Sequence, residues 1–259
     1  MYNSLVVDGT SETILRSFAR GLGSCCCPER CDVLVPNPLE RTWLVIPLFN
    51  EATVISDVIA DARRVFSHIV CVDDGSDDDS ARLAENAGAH VVRHPINLGQ
   101  GASLQTGLRY ALQDPRAQFF VTFDSDGQHL VSDAVAMVEV LNDSDNDIVV
   151  GSRFLDSRTK LGFVKVVVLK CARVFERMVT GIRLTDAHNG LRALSRHAAE
   201  SIRITQNRMA HASEIVSEIR RLKLKYVEQP VEIVYSDYSR SKGQSVWNSV
   251  NILNDLLFK

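Results

Sequence analysis

Trp43-Leu44-Val45-Ile46-Pro47 is an unbroken apolar run that passes directly into Leu48-Phe49-Asn50-Glu51. A strand exposed on one face would alternate, so this run reads as a strand covered on both faces. The period then changes. Over residues 52–66, Ile55, Val58, Ile59, Ala62, Val65 and Phe66 fall on one helical stripe. The same exchange repeats down the chain, with strands expected at 69–72, 89–93, 119–123 and 147–150. Helices are expected at 81–87, at 99–112 behind a Gly99-Gln100-Gly101 turn, and at 132–141 with Ser132 as the N-cap. Strands alternating with helices predict parallel strands joined by right-handed crossovers. The fold class is therefore α/β, a Rossmann-like, mainly parallel sheet flanked by helices.

Ligands of such sheets bind beyond the carboxyl ends of the strands, which makes the strand ends informative. The first ends in Pro47-Leu48-Phe49-Asn50-Glu51 and the second in Asp73-Asp74-Gly75-Ser76. The fourth ends in Asp124-Ser125-Asp126-Gly127-Gln128-His129 and the fifth in Gly151-Ser152-Arg153. Asp and Gly commonly make turns, which accounts for any one of these but poorly for acidic groups gathered at one edge of one sheet. Two carboxylates a residue apart repel unless a cation neutralises them. A hard divalent ion, Mg2+ or Mn2+, suits oxygen ligands and bridges to phosphate oxygens. Asp124, Asp126 and Gln128 form the candidate metal set, with Arg153 adding positive charge toward a diphosphate leaving group. Asp74 is placed to accept a hydrogen bond from a base, and Glu51 to sit by the base or ribose.

Outside this core, residues 1–40 are rich in Ser, Gly, Cys and Pro and read as a weakly ordered extension with one short helical pattern over 11–20. Three consecutive cysteines, Cys25, Cys26 and Cys27, suit a single tetrahedral zinc site poorly. With Cys31 they read as an incidental feature of that extension, with metal binding or S-acylation as the alternatives. Cys71 lies in an apolar strand and reads as core. Residues 162–180 are apolar with interspersed Lys and Arg, fitting a helix in a membrane interface or a core or homodimer-interface helix. A helix is expected at 213–224, and an edge strand or pair over 227–235 broken at Pro230. A polar, basic loop over 236–245 and a short helix at 249–258 follow. The formal net charge of −3 carries no basic stripe of the kind nucleic acid needs. No uncharged apolar run long enough for a membrane span and no signal-peptide pattern is present, so the expected place is the cytoplasm.

The ordered motifs Ile46-Pro47-Leu48-Phe49-Asn50-Glu51, Val72-Asp73-Asp74-Gly75-Ser76, Asn97-Leu98-Gly99-Gln100-Gly101-Ala102, Asp124-Ser125-Asp126-Gly127-Gln128-His129 and Gly151-Ser152-Arg153 resemble those of the family 2 glycosyltransferases. Within that family they are most similar to the polyprenyl-phosphate branch typified by dolichol-phosphate mannosyltransferase. Asp186-Ala187-His188-Asn189-Gly190-Leu191-Arg192 and Arg240-Ser241-Lys242-Gly243-Gln244-Ser245 match more loosely. The resemblance implies a GT-A fold over 41–259, with 41–153 as the nucleotide-sugar half and 154–259 as the acceptor half. It implies that Pro47, Phe49, Glu51 and Asp74 line the nucleoside pocket. Asp124, Asp126 and Gln128 would hold the metal and the donor diphosphate, with Ser125 beside them. Arg153 and Arg240 would face phosphate groups, and the loop with Lys242 and Ser245 would close over the loaded site.

The acceptor follows from chemistry. A sugar hydroxyl is a poor nucleophile near neutrality and needs a positioned base, whereas a lipid phosphate arrives largely ionised. Behind the metal motif the acidic candidates for a base are Asp186 and Glu214, each equally readable as structural. Arg153, Arg192, Arg240 and Lys242 offer positive charge instead. The expectation is an inverting hexosyl transfer from a GDP-mannose or UDP-glucose type donor to a polyprenyl or dolichyl phosphate in cell-envelope glycan synthesis, with peripheral contact at the cytoplasmic face of a membrane. The rivals are transfer to a sugar or small-molecule hydroxyl, a nucleotidyltransferase, and a non-catalytic binding protein. The nucleotidyltransferase would need a Gly-rich basic loop where Pro47-Leu48-Phe49-Asn50-Glu51 stands.

Overall fold

In the computed structural model, which describes residues 37–156, 181–207 and 210–235, the opening apolar run becomes β1 (Thr42–Leu48), buried at every position. A 3-10 turn, Pro38–Arg41, leads into it. The next strands are β2 (His68–Asp73), β3 (His90–Arg93), β4 (Phe119–Thr122) and β5 (Ile148–Ser152). The intervening helices are α1 (Ile55–Ala62), α2 (Ser80–Asn86), α3 (Gln100–Ala111) and α4 (Val131–Asn142). Then come β6 (Arg192–Ser195), α5 (Arg196–Ser201), α6 (His211–Leu222) and β7 (Tyr226–Pro230).

The strands form one mixed sheet in the order β3-β2-β1-β4-β6-β5-β7. β1, β2, β3 and β4 pair in parallel, as do β5 and β7, while β6 runs antiparallel to both β4 and β5. The two-residue repeat of a strand sends neighbouring side chains to opposite faces. Trp43 and Val45 accordingly join the core under α3, α5 and α6, and Leu44, Ile46 and Leu48 the core under α1, α2 and α4. Coverage on both faces explains why the strands read as continuous apolar runs.

Two expectations change, and a strand that the sequence did not show sets the sheet order. β5 does not follow β4 in the sheet, because β6 lies between them. β6 left no apolar signature, since its four residues begin with a buried Arg192. Ser132 is not an N-cap: Leu130 holds that place with no side-chain bond, and Ser132 lies within α4. The chain stays extended through Leu130 beside the His129–Ile233 bridge, and the helix starts directly after it. Finally, α1 is shorter than its stripe, flanked by turns at 52–54 and 63–65. β7 lies at the sheet edge and ends on Pro230, where a missing N–H is tolerated.

The readings for residues 1–36 (with Cys25, Cys26, Cys27 and Cys31), for 162–180 and 249–258, and for Arg240, Lys242 and Ser245 lie outside the described residues. No helix among the described residues is long and apolar enough to cross a membrane.

Candidate active site

The parallel strands deliver their carboxyl ends to one edge, and a cleft of about 480 Å³ opens there. β1 contributes Pro47, Phe49 and Glu51, the β2 end Asp74, and the β4 end Asp124, Ser125, Asp126, Gln128 and His129. Arg153 follows β5, and the segment leading into β6 adds His188, Asn189, Gly190 and Arg192. Of the expected site residues among those described, only Asp186 and Glu214 do not line the cleft.

Asp74 is buried and already occupied. Its oxygens accept N–H bonds from Leu98 (2.9 Å) and Gly99 (2.7 Å), and His94 Nδ1 lies 2.7 Å away. His94 reaches Thr106 of α3 through its other nitrogen, at 3.0 Å. Three of roughly four carboxylate acceptor positions thus shape the turn into α3, so Asp74 acts first as the anchor of the loop that walls the cleft. Gly99 at the N-cap has φ 97°, a conformation glycine adopts without steric cost.

The paired carboxylates differ from each other. Asp124 Oδ2 lies 2.9 Å from His129 Nε2, and its Oδ1 accepts from Gln100 Nε2 at 3.0 Å. Burial works to raise its pKa, but the charges of His129, His211 and Arg192 hold its carboxyl below the usual range. Among the described residues Asp126 accepts only from its own loop, from Gln128 N at 3.1 Å and Gln128 Nε2 at 2.7 Å. Burial, and then the neighbouring charge of Asp124, push its pKa up to about 6. Two crowded carboxylates, one of them held toward its neutral form by burial and by its neighbour's charge, suit a hard divalent ion. Among the described residues no three His, Cys, Asp or Glu groups are arranged to hold a metal ion by themselves. Asp124, Asp126 and Gln128 stand together at the end of β4 and line the cleft, with the Gln128 amide nitrogen turned to Asp126.

On the opposite wall Arg153 and Asp186 form a bidentate pair, Nε–Oδ2 2.6 Å and Nη2–Oδ1 2.7 Å, with the Arg153 N–H donating to Oδ2 at 3.1 Å. Burial opposes both charges, yet the pair lowers the Asp186 pKa and raises that of Arg153. Glu228 of β7 sets the pair in place, accepting from Thr185 N (2.7 Å), Thr185 Oγ1 (2.8 Å) and Asp186 N (3.3 Å). Asp186 therefore supports Arg153. Glu214, in the first turn of α6, accepts from Thr205 N (2.9 Å), Thr205 Oγ1 (2.5 Å) and Gln206 N (2.8 Å). It fastens a loop.

Sequence reasoning assigned no role to His188, His211, Asn189 or Gly190, all of which line the cleft. Burial holds the His188 imidazole below its usual pKa. Gln100 and His129 stood inside the quoted motifs, and their partner could not be read from spacing.

Comparison with known proteins places this geometry. The model of the family described as glycosyl transferase family 2 matches residues 43–203. An uncharacterized protein of Methanocaldococcus jannaschii is 31% identical over 225 residues, spanning 85% of this chain and 92% of its own. The UDP-N-acetylglucosamine–dolichyl-phosphate N-acetylglucosaminyltransferase of Methanococcus voltae is 28% identical over 238 residues, 83% of this chain and 94% of its own. Among solved structures, glucosyl-3-phosphoglycerate synthase from Mycobacterium tuberculosis, in complex with Mn2+ and UDP-glucose, superposes with a TM-score of 0.63 at 19% identity. That match covers 83% of this chain and 77% of the other. It is a likeness of fold, the GT-A fold.

Proposed function

We propose, for a chain that belongs to glycosyl transferase family 2 and is therefore a glycosyltransferase, that it moves a hexose from a GDP-mannose or UDP-glucose type donor to a polyprenyl or dolichyl phosphate, with inversion. One observation carries the acceptor reading. Neither of the two acidic candidates for a base, Asp186 and Glu214, is placed to serve as one. Asp186 is taken up by Arg153, and Glu214 turns to Thr205 and Gln206 outside the cleft. A hydroxyl nucleophile would need a positioned base, which these two carboxylates do not supply and which would fall to the cleft's imidazoles. A phosphate needs cations to position it, and Arg153 and Arg192 line the cleft. Asp186 occupies two of the five N–H donors of Arg153, which turns the guanidinium and keeps it charged. The dolichyl-phosphate substrate in the name of the Methanococcus voltae relative supports the same class.

On the donor side, Pro47, Phe49, Glu51 and the loop anchored by Asp74 line the part of the cleft that would take the nucleoside. Asp124, Asp126 and Gln128 are the residues that would hold Mg2+ or Mn2+ with the diphosphate. Bound there, the ion would supply Lewis-acid stabilisation of the departing nucleotide diphosphate. An acceptor phosphate oxygen would bond to the anomeric carbon as the bond to the donor phosphate breaks, its electron pair leaving with the diphosphate. In this reading 41–153 is the donor half, and the described parts of 154–259 form the acceptor half.

A lipid acceptor requires the cleft mouth to meet the membrane, and the distribution of exposed apolar side chains supports that. Of six large exposed hydrophobics among the described residues, five (Phe49, Ile96, Leu98, Leu155 and Val234) lie beyond strand ends on the cleft edge. The sixth, Val65, precedes β2. We place the enzyme peripherally at the cytoplasmic face of a membrane.

The test is a panel of labelled GDP-mannose, UDP-glucose and UDP-N-acetylglucosamine against polyprenyl phosphate, the free polyprenol and soluble sugars, with Mn2+, Mg2+ or chelator. Metal-dependent transfer to the phosphate and none to the alcohol is expected. Transfer to a sugar hydroxyl, abolished in Asp186→Asn or Glu214→Gln, would overturn the acceptor reading.

A further inference from the structure

We infer that His129 and Gln100 are positioning residues that hold the Asp124 carboxylate in the orientation in which it receives a divalent cation. The inference rests on the metal reading above and goes beyond it, since neither side chain belongs to the proposed metal set. Each oxygen of Asp124 is engaged by a different N–H: Oδ2 by His129 Nε2 at 2.9 Å, Oδ1 by Gln100 Nε2 at 3.0 Å. Asp124 accepts, so the nitrogen of His129 that faces it carries the proton.

The clamp itself is rigid on both sides. The His129 ring is buried and lies against Phe123, ring centres 5.4 Å apart. Its backbone is tied across the His129–Ile233 bridge, and Val234 N–H donates to the Gln128 carbonyl next to it at 2.9 Å. Among the described residues His129 Nδ1 is buried with no hydrogen-bond partner, and Asp124 is the ring's one polar anchor there. Gln100 is the first residue of α3, and that helix end packs closely against the start of α6 and the segment before it. A Cβ on Gly101 would lie 2.1 Å from the Gln206 carbonyl oxygen and 2.9 Å from His211 Cβ. Asp126, by contrast, accepts among the described residues from Gln128 of its own loop alone. The two carboxylates are thus held differently: Asp124 by Gln100 of α3 and by the buried His129 ring five residues on, and Asp126 by Gln128 two residues on. A preset ligand loses less rotational freedom on binding, and losing an outer-shell partner of this kind typically weakens metal affinity by about 10–100-fold.

The test measures Mn2+ binding to the full chain, with Mn2+ alone as the probe, by the electron paramagnetic resonance of the free ion. His129→Phe fills the ring space without an N–H, and His129→Gln keeps an N–H at the reach of Nε2. We expect roughly tenfold or greater weakening in His129→Phe and recovery in His129→Gln to within about threefold of the parent. Wild-type affinity in His129→Phe, or a His129→Gln variant as weak as His129→Phe, would overturn the inference. If His129→Phe does not fold, Gln100→Ala carries the test: weakened binding supports the clamp and unchanged binding overturns it. Asp126→Ala separates the two readings. Should it bind Mn2+ like the parent, the metal reading itself falls. Should it lose Mn2+ while His129→Phe and Gln100→Ala retain it, only the clamp falls.

Discussion

Gly190→Ala adds one methyl group beside Asp124, and the surroundings leave it no space. The new Cβ would lie 2.4 Å from Oδ2 and 2.9 Å from both Cγ and Oδ1 of Asp124. An ordinary carbon–oxygen contact is about 3.4 Å, so roughly 1 Å must be found. The backbone cannot readily supply it. Thr122 Oγ1 donates to the Gly190 carbonyl at 2.6 Å, and the buried Leu191 donates its N–H to Asn189 Oδ1 at 2.9 Å. The carboxylate must therefore swing and give up His129 or Gln100. Overpacking of this kind costs about 1–3 kcal/mol, and for a chain of this size each kcal/mol lowers Tm by about 2–4 °C. A 1 Å misplacement of a reacting group's support costs on the order of 100-fold in turnover. The assay pairs thermal melts, with and without Mn2+, with initial rates of transfer. The expected result is a Tm lower by several degrees, a reduced Mn2+-dependent rise in Tm, and turnover down by about two orders of magnitude. A variant with the parent's turnover and the parent's rise in Tm would refute both the close approach and the placement of Asp124 in the site.

Asp186→Asn removes one partner of a buried ion pair and leaves Arg153 facing an amide. We expect a loss of about 3–5 kcal/mol in urea unfolding and a higher KM for the lipid phosphate, with Mn2+ affinity unchanged. The parent pair has a pH signature of its own. The Asp186 pKa is lowered in the fold, so its stabilisation is present above the unfolded carboxylate pKa and is lost as pH falls through the folded value. Asp126 runs the other way. Its pKa is raised from 3.8 to about 6, so the metal-free protein loses stability from this group as pH rises across that window. Mn2+ binding should weaken as pH falls below about 6, and calorimetric titrations from pH 5 to 8 measure it. Glu214→Ala should lower stability by about 0.5–1.5 kcal/mol, because the exposed Thr205 and Gln206 groups exchange the carboxylate for water, while donor hydrolysis persists. A collapse of kcat with an unchanged melting curve would instead identify Glu214 as a base.

The legible part of the site lay where local pattern and topology act together. An apolar run long enough to be covered on both faces is a strand, and parallel strands deliver their ends to one edge. Pro47, Asp74, Asp124 and Arg153 were found by that reasoning before any distance was known. The illegible part lay where one short segment or one lone side chain was decisive. β6 has four residues and opens on a fully buried Arg192, so no alternation could reveal it, yet it sits in the sheet between β4 and β5. His188 and His211 are single residues with no repeat to mark them, and only the folded chain turns them into the cleft.

By itself, the sequence determined the fold class, the edge of the sheet that carries the site, and the acidic pair at its centre. These depend on backbone sterics and hydrophobic periodicity, which repeat every two residues or every three to four and act locally. Only the tertiary structure decided what each acidic group does. Asp186 and Glu214 are alike in sequence terms, both acidic and both behind the metal motif. One meets Arg153, 33 residues away, and the other meets Thr205 and Gln206. A carboxylate's role is set by the donors within about 3 Å of it, and those donors arrive from strands and loops that only folding brings together.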